Sequence, residues 1–217
     1  MKPPITIVAF GDSITAAGEQ TPAARWPTIL WQMLQERFPD CVIEVINAGV
    51  GGNTSREGLR RIESDVLRHA PHFVLFEFGN DSTYEPDRHV DFAEFIANLN
   101  QIRIQVTQRC NGRVIPLTFP PLVDEWNQFR DHEFIRQNGG PDASMEKYRQ
   151  LTRQFAREHA LPLADVDNAV RAEMTLAGPA AVILPDGVHL TARGNQVVAD
   201  CVGAVLSGEL EKYLRAA

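Results

Sequence analysis

Short, uninterrupted apolar runs alternate with amphipathic stretches along the whole chain. The runs fall at residues 5–10, 42–47, 73–78, 114–119 and 162–166. Between and after them, helix-period patterns cover residues 23–37, 55–69, 90–108, 144–158, 168–176 and 192–213. A run of five or six apolar residues without polar alternation predicts a strand buried on both faces. Helices separating such runs predict βαβ units and a parallel sheet. The expected fold class is α/β, a flavodoxin-like three-layer α/β/α sandwich with a five-stranded parallel sheet. No repeat, linker or low-complexity tract interrupts the pattern, so residues 1–217 are expected to form a single domain.

In a sheet of this kind, ligands bind beyond the carboxyl ends of the strands, near the point where strand order reverses. Two connections on that side exceed what a scaffold needs. Residues 81–88 follow the third run, and residues 120–142 follow the fourth with Trp126, Phe129 and Phe134 among charged neighbours. Loops of that length serve either as binding loops or as surface decoration with a short helix of their own.

Composition narrows the function classes. Hydrophobic content of 44% and charged content of 23% are those of an ordinary globular protein. A net charge of −7 opposes a broad nucleic-acid surface and an anionic membrane surface, so neither is an expected partner. The basic cluster from Arg56 to Arg61, with Arg68, reads as the solvated face of a helix. Cys41, Cys110 and Cys201 have no metal-ligand spacing and are expected to be buried free thiols in a reducing compartment. The chain start, Met1-Lys2-Pro3-Pro4, lacks the apolar core and cleavage site of a signal peptide, and no stretch has transmembrane length. The expectation is a cytoplasmic protein without stable membrane insertion.

Four turns at the expected ligand edge carry chemistry. Gly11-Asp12-Ser13 follows the first run and supplies a hydroxyl, although Asp and Ser are also common turn and capping residues. Asn47 through Ser55 contains Gly49, Gly51 and Gly52, whose N–H groups suit an oxyanion. The same residues suit a plain glycine turn with Asn53, Thr54 or Ser55 capping the next helix. Gly79-Asn80-Asp81 offers an amide donor or an Asx turn. Glu77, inside an apolar run, is either a buried paired acid or an outward-facing residue. Asp186-Gly187-Val188-His189 precedes a helix that Thr191 would cap. A serine hydroxyl needs a base to take its proton, and a carboxylate can hold that histidine in the right tautomer. Ser, Asp and His occur here in that order, and acyl transfer uses all of these groups.

On these motifs the chain resembles the SGNH hydrolases, also called the GDSL esterase/lipase family. Gly11-Asp12-Ser13, Asn47 to Ser55, Asn80-Asp81 and Asp186-x-x-His189 match its blocks in order, and Trp26-Pro27 resembles its first helix. One departure stands out. The third block usually reads Gly-x-Asn-Asp, whereas here Gly79 adjoins Asn80 directly. The resemblance implies Ser13 as nucleophile, His189 as base and Asp186 as its orienting acid. It implies an oxyanion hole from the Ser13 and Gly52 N–H groups and the Asn80 amide. Asp12, Asn53 and Trp126 are further candidates for substrate contact. No cofactor and no metal is expected, and the expected partner is a small-molecule ester.

Two other classes compete. A metal-dependent phosphoesterase would need histidines clustered with Asp12 or Asp81, and the sequence offers none. A non-catalytic binding scaffold would have lost a triad residue. Among esters, the polar-aromatic segment 120–142 favours a short acyl group on a polar alcohol such as an O-acetylated carbohydrate. A lysophospholipase or acyl-CoA thioesterase is the alternative.

Overall fold

In a computed structural model of the chain, residues 5–216 are described. The chain start on which the expectation of no export signal rests, residues 1–4, lies outside the described residues, as does residue 217.

β1 (Ile5–Gly11) is buried at all seven positions, as a run without polar alternation requires. It lies inside a parallel sheet of order β2-β1-β3-β4, with β2 at Ile43–Gly49, β3 at Phe73–Phe76 and β4 at Arg113–Pro116. The register sets Gly11 beside Gly49 and Phe10 beside Phe76. The carboxyl ends of β1, β2 and β3 are therefore level, and the turns after them emerge side by side. With β2 on one side of β1 and β3 on the other, the order reverses at β1 and opens a crevice there.

The run at 162–166 does not become a fifth strand. Leu117 and Ala164 form an isolated parallel bridge, in which Ala164 N donates to the Pro116 carbonyl at 3.1 Å and Thr118 N to the Ala164 carbonyl at 3.2 Å. Pro162 has no N–H to extend a ladder. Asp165 at once caps the next helix, its carboxylate accepting from Asn168 N. The sheet among the described residues has four strands where five were expected.

Helices cover both faces of this sheet. On one side α2 (Trp26–Arg37) packs against α9 (Ala192–Ala216), which also meets α7 (Val166–Ala177) and α8 (Pro179–Val182). A second group joins α3 (Ser55–Asp65) to α4 (Phe92–Cys110) and α4 to α6 (Pro141–Glu158). Short helices α1 (Ser13–Ala16) and α5 (Glu133–Gln137) lie in the loops. A capping box starts α3 where the glycine turn ends. Thr54 N donates to Glu57 Oε2 at 2.8 Å, and Glu57 N donates to Thr54 Oγ1 at 3.3 Å.

The basic cluster on α3 is not simply a solvated face. Arg61 is only 14% exposed; its guanidinium lies 4.7 Å from the Phe10 ring centroid and donates to the Gly11 and Ala48 carbonyls, both at 2.7 Å. There it adds a charged donor to the carboxyl ends of β1 and β2, where the Gly11 carbonyl also accepts from Val50 N at 3.0 Å. The three cysteines are free and half-buried. No helix among the described residues is long and apolar enough to cross a membrane.

Candidate active site

Ser13 is the first residue of α1, a single turn that starts directly beyond β1. Asp12 caps that turn by accepting from Ile14 N at 2.9 Å, and Ala17 ends it in the left-handed region with φ 47°. Trp26 braces it from below, donating through Nε1 to the Ile14 carbonyl at 3.0 Å. The serine is thus held on a short, tied-down turn at the sheet edge.

The other two residues arrive on a loop from the far end of the chain. Leu184 N donates to the His189 carbonyl at 2.7 Å, and Gly187 N to the Leu184 carbonyl at 2.9 Å, which folds 184–189 into a tight turn. Asp186 Oδ1 accepts from Val188 N and His189 N, both at 2.9 Å. Its Oδ2 lies 2.7 Å from His189 Nδ1, and His189 Nε2 lies 3.0 Å from Ser13 Oγ. Partial burial would raise the Asp186 pKa, but the His189 ring and the two N–H groups hold it below the usual carboxylate range. Thr191 then caps α9 through Gly194 N at 3.1 Å. Glu19 approaches the same imidazole nitrogen at 3.6 Å.

Beside Ser13 lies the glycine turn after β2. Gly52 has φ +76°, a conformation that favours glycine, and Arg88 donates to its carbonyl. No acceptor among the described residues takes the N–H of Ser13 or of Gly52. After β3, Asn80 donates one side-chain N–H to Asp12 Oδ2 at 3.0 Å, and Gly79 N donates to the same oxygen at 2.8 Å. An amide nitrogen carries two hydrogens, so the second remains available to a ligand. The shortened third block therefore still brings Asn80 to the edge of β1.

Ser13, Gly51, Gly52, Asn80, Asp186 and His189 line one cleft of about 510 Å³. Both long connections contribute to its walls, Tyr84, Glu85 and Arg88 from the first, Asn127, Phe129 and Ile135 from the second. Three candidates for substrate contact sit elsewhere. Asp12 is wholly buried beneath the serine turn. Asn53 is engaged by Arg61, whose Nε donates to its Oδ1 at 2.7 Å. Trp126 packs against the hydrophobic core instead of lining the cleft, and the aromatic wall is made by Phe129 and Tyr84, with ring centroids 5.2 Å apart. Trp126 was the most prominent aromatic of its segment, but its place in a 3-10 turn, Asp124–Trp126, points it inward.

Arg88 and Arg61 brace the glycine turn; Arg61 was read as part of a solvated helix face, and Arg88 was not singled out. Charge count alone hides them, because each spends its charge on carbonyls that only the fold brings near.

A profile of the GDSL-like Lipase/Acylhydrolase family matches residues 9–197. An acetylxylan esterase of Geobacillus stearothermophilus is 24% identical over 209 residues, covering 89% of this chain and 90% of that protein. The crystal structure of LAE5, an alpha/beta hydrolase enzyme from the metagenome of Lake Arreo, superposes with TM-score 0.75 at 27% identity, covering 92% of this chain and 94% of LAE5. That of Axe2, an acetylxylan esterase from Geobacillus stearothermophilus, gives TM-score 0.72 at 24% identity, covering 93% and 94%. The chain belongs to the GDSL-like lipase/acylhydrolase, or SGNH hydrolase, family and is a carboxylic ester hydrolase of that type.

Proposed function

We propose that this esterase cleaves short-chain acyl esters, O-acetylated carbohydrates among them, through a Ser13–His189–Asp186 triad and an acyl-enzyme. The observation that carries the mechanism is the relay of contacts, 2.7 Å from Asp186 Oδ2 to His189 Nδ1 and 3.0 Å from His189 Nε2 to Ser13 Oγ. His189 takes the Ser13 proton as Oγ attacks the carbonyl, while Asp186 stabilises the imidazolium. The tetrahedral oxyanion is received by the Ser13 and Gly52 N–H groups and by the free hydrogen of the Asn80 amide. His189 protonates the departing alcohol. A water molecule, deprotonated by the same imidazole, then attacks the acyl-enzyme and returns Ser13 to its hydroxyl form.

The alcohol preference draws on the cleft wall. Tyr84 and Phe129 offer ring faces, and Asn127, Gln128, Glu85 and Arg88 offer polar groups around them. A sugar, with apolar C–H faces and hydroxyl edges, matches that mixture. The likeness to an acetylxylan esterase supports the same substrate class.

The test is hydrolysis of p-nitrophenyl esters from acetate to palmitate by wild type and Ser13→Ala, followed by acetylated oligosaccharides. Acetate turnover that declines with chain length and is lost in the variant supports the assignment. A maximum at eight carbons or longer moves the substrate to lysophospholipids or acyl thioesters.

A further inference from the structure

The mechanism leaves unused a buried acid directly beneath it. Glu77 follows β3 and is 4% exposed, and Asp12 is wholly buried. Glu77 Oε1 accepts from Thr15 Oγ1 at 2.6 Å and from Asp12 N at 3.3 Å. Its other oxygen, Oε2, is buried with no N–H or O–H directed at it. Glu77 thus adjoins Asp12 through that residue's backbone N–H, and the charge of Asp12 bears on the Glu77 carboxyl. A side chain at Gly11 would run into the Thr15 hydroxyl and the Glu77 carboxyl, so this packing also depends on glycine there.

Two neighbouring carboxyl groups in a dry site disfavour each other's ionised form unless a cation lies between them. Arg61 is the nearest basic group from α3, and its N–H groups are directed to Gly11, Ala48, Asn53 and Asp65. Asp81, from the turn after β3, adds only negative charge. His189 faces Ser13 on the other side of the turn. Hydrogen bonds decide which acid keeps the proton. Asp12 receives three N–H donors, from Ile14, Gly79 and the Asn80 amide. Glu77 receives one hydroxyl and one longer N–H, and nothing at Oε2. The charge therefore resides on Asp12 and the proton on Glu77. Burial, reinforced by the charge of Asp12, lifts the Glu77 carboxyl well above its usual range in the same sense.

We propose that Glu77 is a positioning residue for the hydrolysis. As a neutral carboxylic acid it donates to Asp12, steadying the carboxylate that holds the Asn80 amide and the Gly79 N–H. It also limits the charge under the oxyanion hole to a single negative unit. Loss of its proton sets two carboxylates against each other and frees Asn80 from its anchor. This role presupposes the oxyanion function of Asn80 assigned above.

Two readouts test it. The first is the difference infrared spectrum of substrate-free wild type against Glu77→Gln at neutral pH. The second is kcat and KM across pH for wild type, Glu77→Gln and Glu77→Leu. The expected difference spectrum contains a C=O band of a protonated carboxylic acid with the sign of wild type, the partly protonated Asp81 cancelling between the two proteins. Glu77→Gln keeps a neutral donor, so kcat stays near wild type and its alkaline decline disappears. Glu77→Leu lowers kcat about tenfold to a hundredfold with KM little changed, as expected for a displaced oxyanion donor. Absence of the protonated-acid band overturns the proposal, as does a Glu77→Gln variant no better than Glu77→Leu. The spectrum needs neither substrate nor turnover, so a wrong choice of ester leaves that arm intact.

Discussion

Arg149 Nη2 meets Asp142 Oδ1 at 2.6 Å, and the arginine side chain in that pair is wholly buried. The same guanidinium donates to the Phe119 carbonyl at 3.0 Å and the Pro120 carbonyl at 2.9 Å. Asp142 in turn accepts from Leu122 N at 2.9 Å and from Arg171 at 2.7 Å. Both ends of the long segment that walls the cleft are thus gathered on one ion pair. The pair removes much of the closure entropy that a free loop of this length would cost.

Arg149→Met leaves the buried Phe119 and Pro120 carbonyls without a donor and Asp142 with Arg171 as its remaining basic partner. Each buried acceptor left unpaired typically costs about 1–3 kcal/mol. Urea denaturation should show a loss of that order, together with a raised KM as the cleft wall loosens. A loss below about 1 kcal/mol, the level of an ordinary surface pair, would rule out the clip.

Ser13→Ala and His189→Ala should each lower kcat by several orders of magnitude, because triad members act as a unit. Both variants should melt like wild type, since Ser13 and His189 are only partly buried and neither caps a helix. Ester turnover close to wild type in either purified variant would defeat the assignment.

Asn80→Ala should cost about a hundred- to thousandfold in kcat, the usual loss for one oxyanion donor, and leave measurable activity. The substitution also takes one donor from Asp12 Oδ2, which retains Gly79 N. An unchanged kcat would place the oxyanion elsewhere.

Asp81 connects acidity to stability. Burial pushes its carboxyl up to about 7, against which Ser55 N, donating at 2.7 Å, offers partial relief. A carboxyl whose folded pKa is raised stabilises the fold below its unfolded pKa, near 3.8, and loses that contribution as pH rises toward 7. The span corresponds to about 4 kcal/mol. Asp81→Asn, which keeps an acceptor for Ser55 N, should flatten the fall in stability between about pH 4 and 7 and be the more stable protein above it. Parallel pH profiles for the two proteins would show that Asp81 is not the group responsible.

Phe129→Ala should raise KM for aryl or sugar esters severalfold with little change in melting temperature, because the ring is 41% exposed at the cleft wall. Trp126→Ala should do the reverse and cost stability, since the indole packs on the core. Interchanged phenotypes would reassign the aromatic wall.

Strands β1 to β4, the main helices between them and the turns that carry Ser13, Asp186 and His189 were legible in the chain, because each depends on short-range signals. Continuous apolar runs need burial on both faces, and Thr54, Asp165 and Thr191 cap the helices that follow them. The strand pattern places Ser13 at the sheet edge, whereas the Asp186–His189 turn follows α8 and is brought to Ser13 by the fold. Missed or misread features depend on which atoms meet across the fold. The run at 162–166 had a strand's composition, but Pro162 and the capping Asp165 allow only the Leu117–Ala164 bridge. Arg61 belonged to a cluster read as a solvated helix face, and Arg88 and Arg149 carried no signal of their own. Each donates to backbone carbonyls that only the fold brings within reach, Gly11 for Arg61, Gly52 for Arg88 and Phe119 for Arg149. Glu77 had two readings, and only packing against Asp12 and Thr15 made it a buried acid. Periodicity and local capping thus determined the elements and the order of catalytic groups. Hydrogen bonds between residues some 60 positions apart were decided by the tertiary structure, because unsatisfied polar atoms choose partners by distance in space.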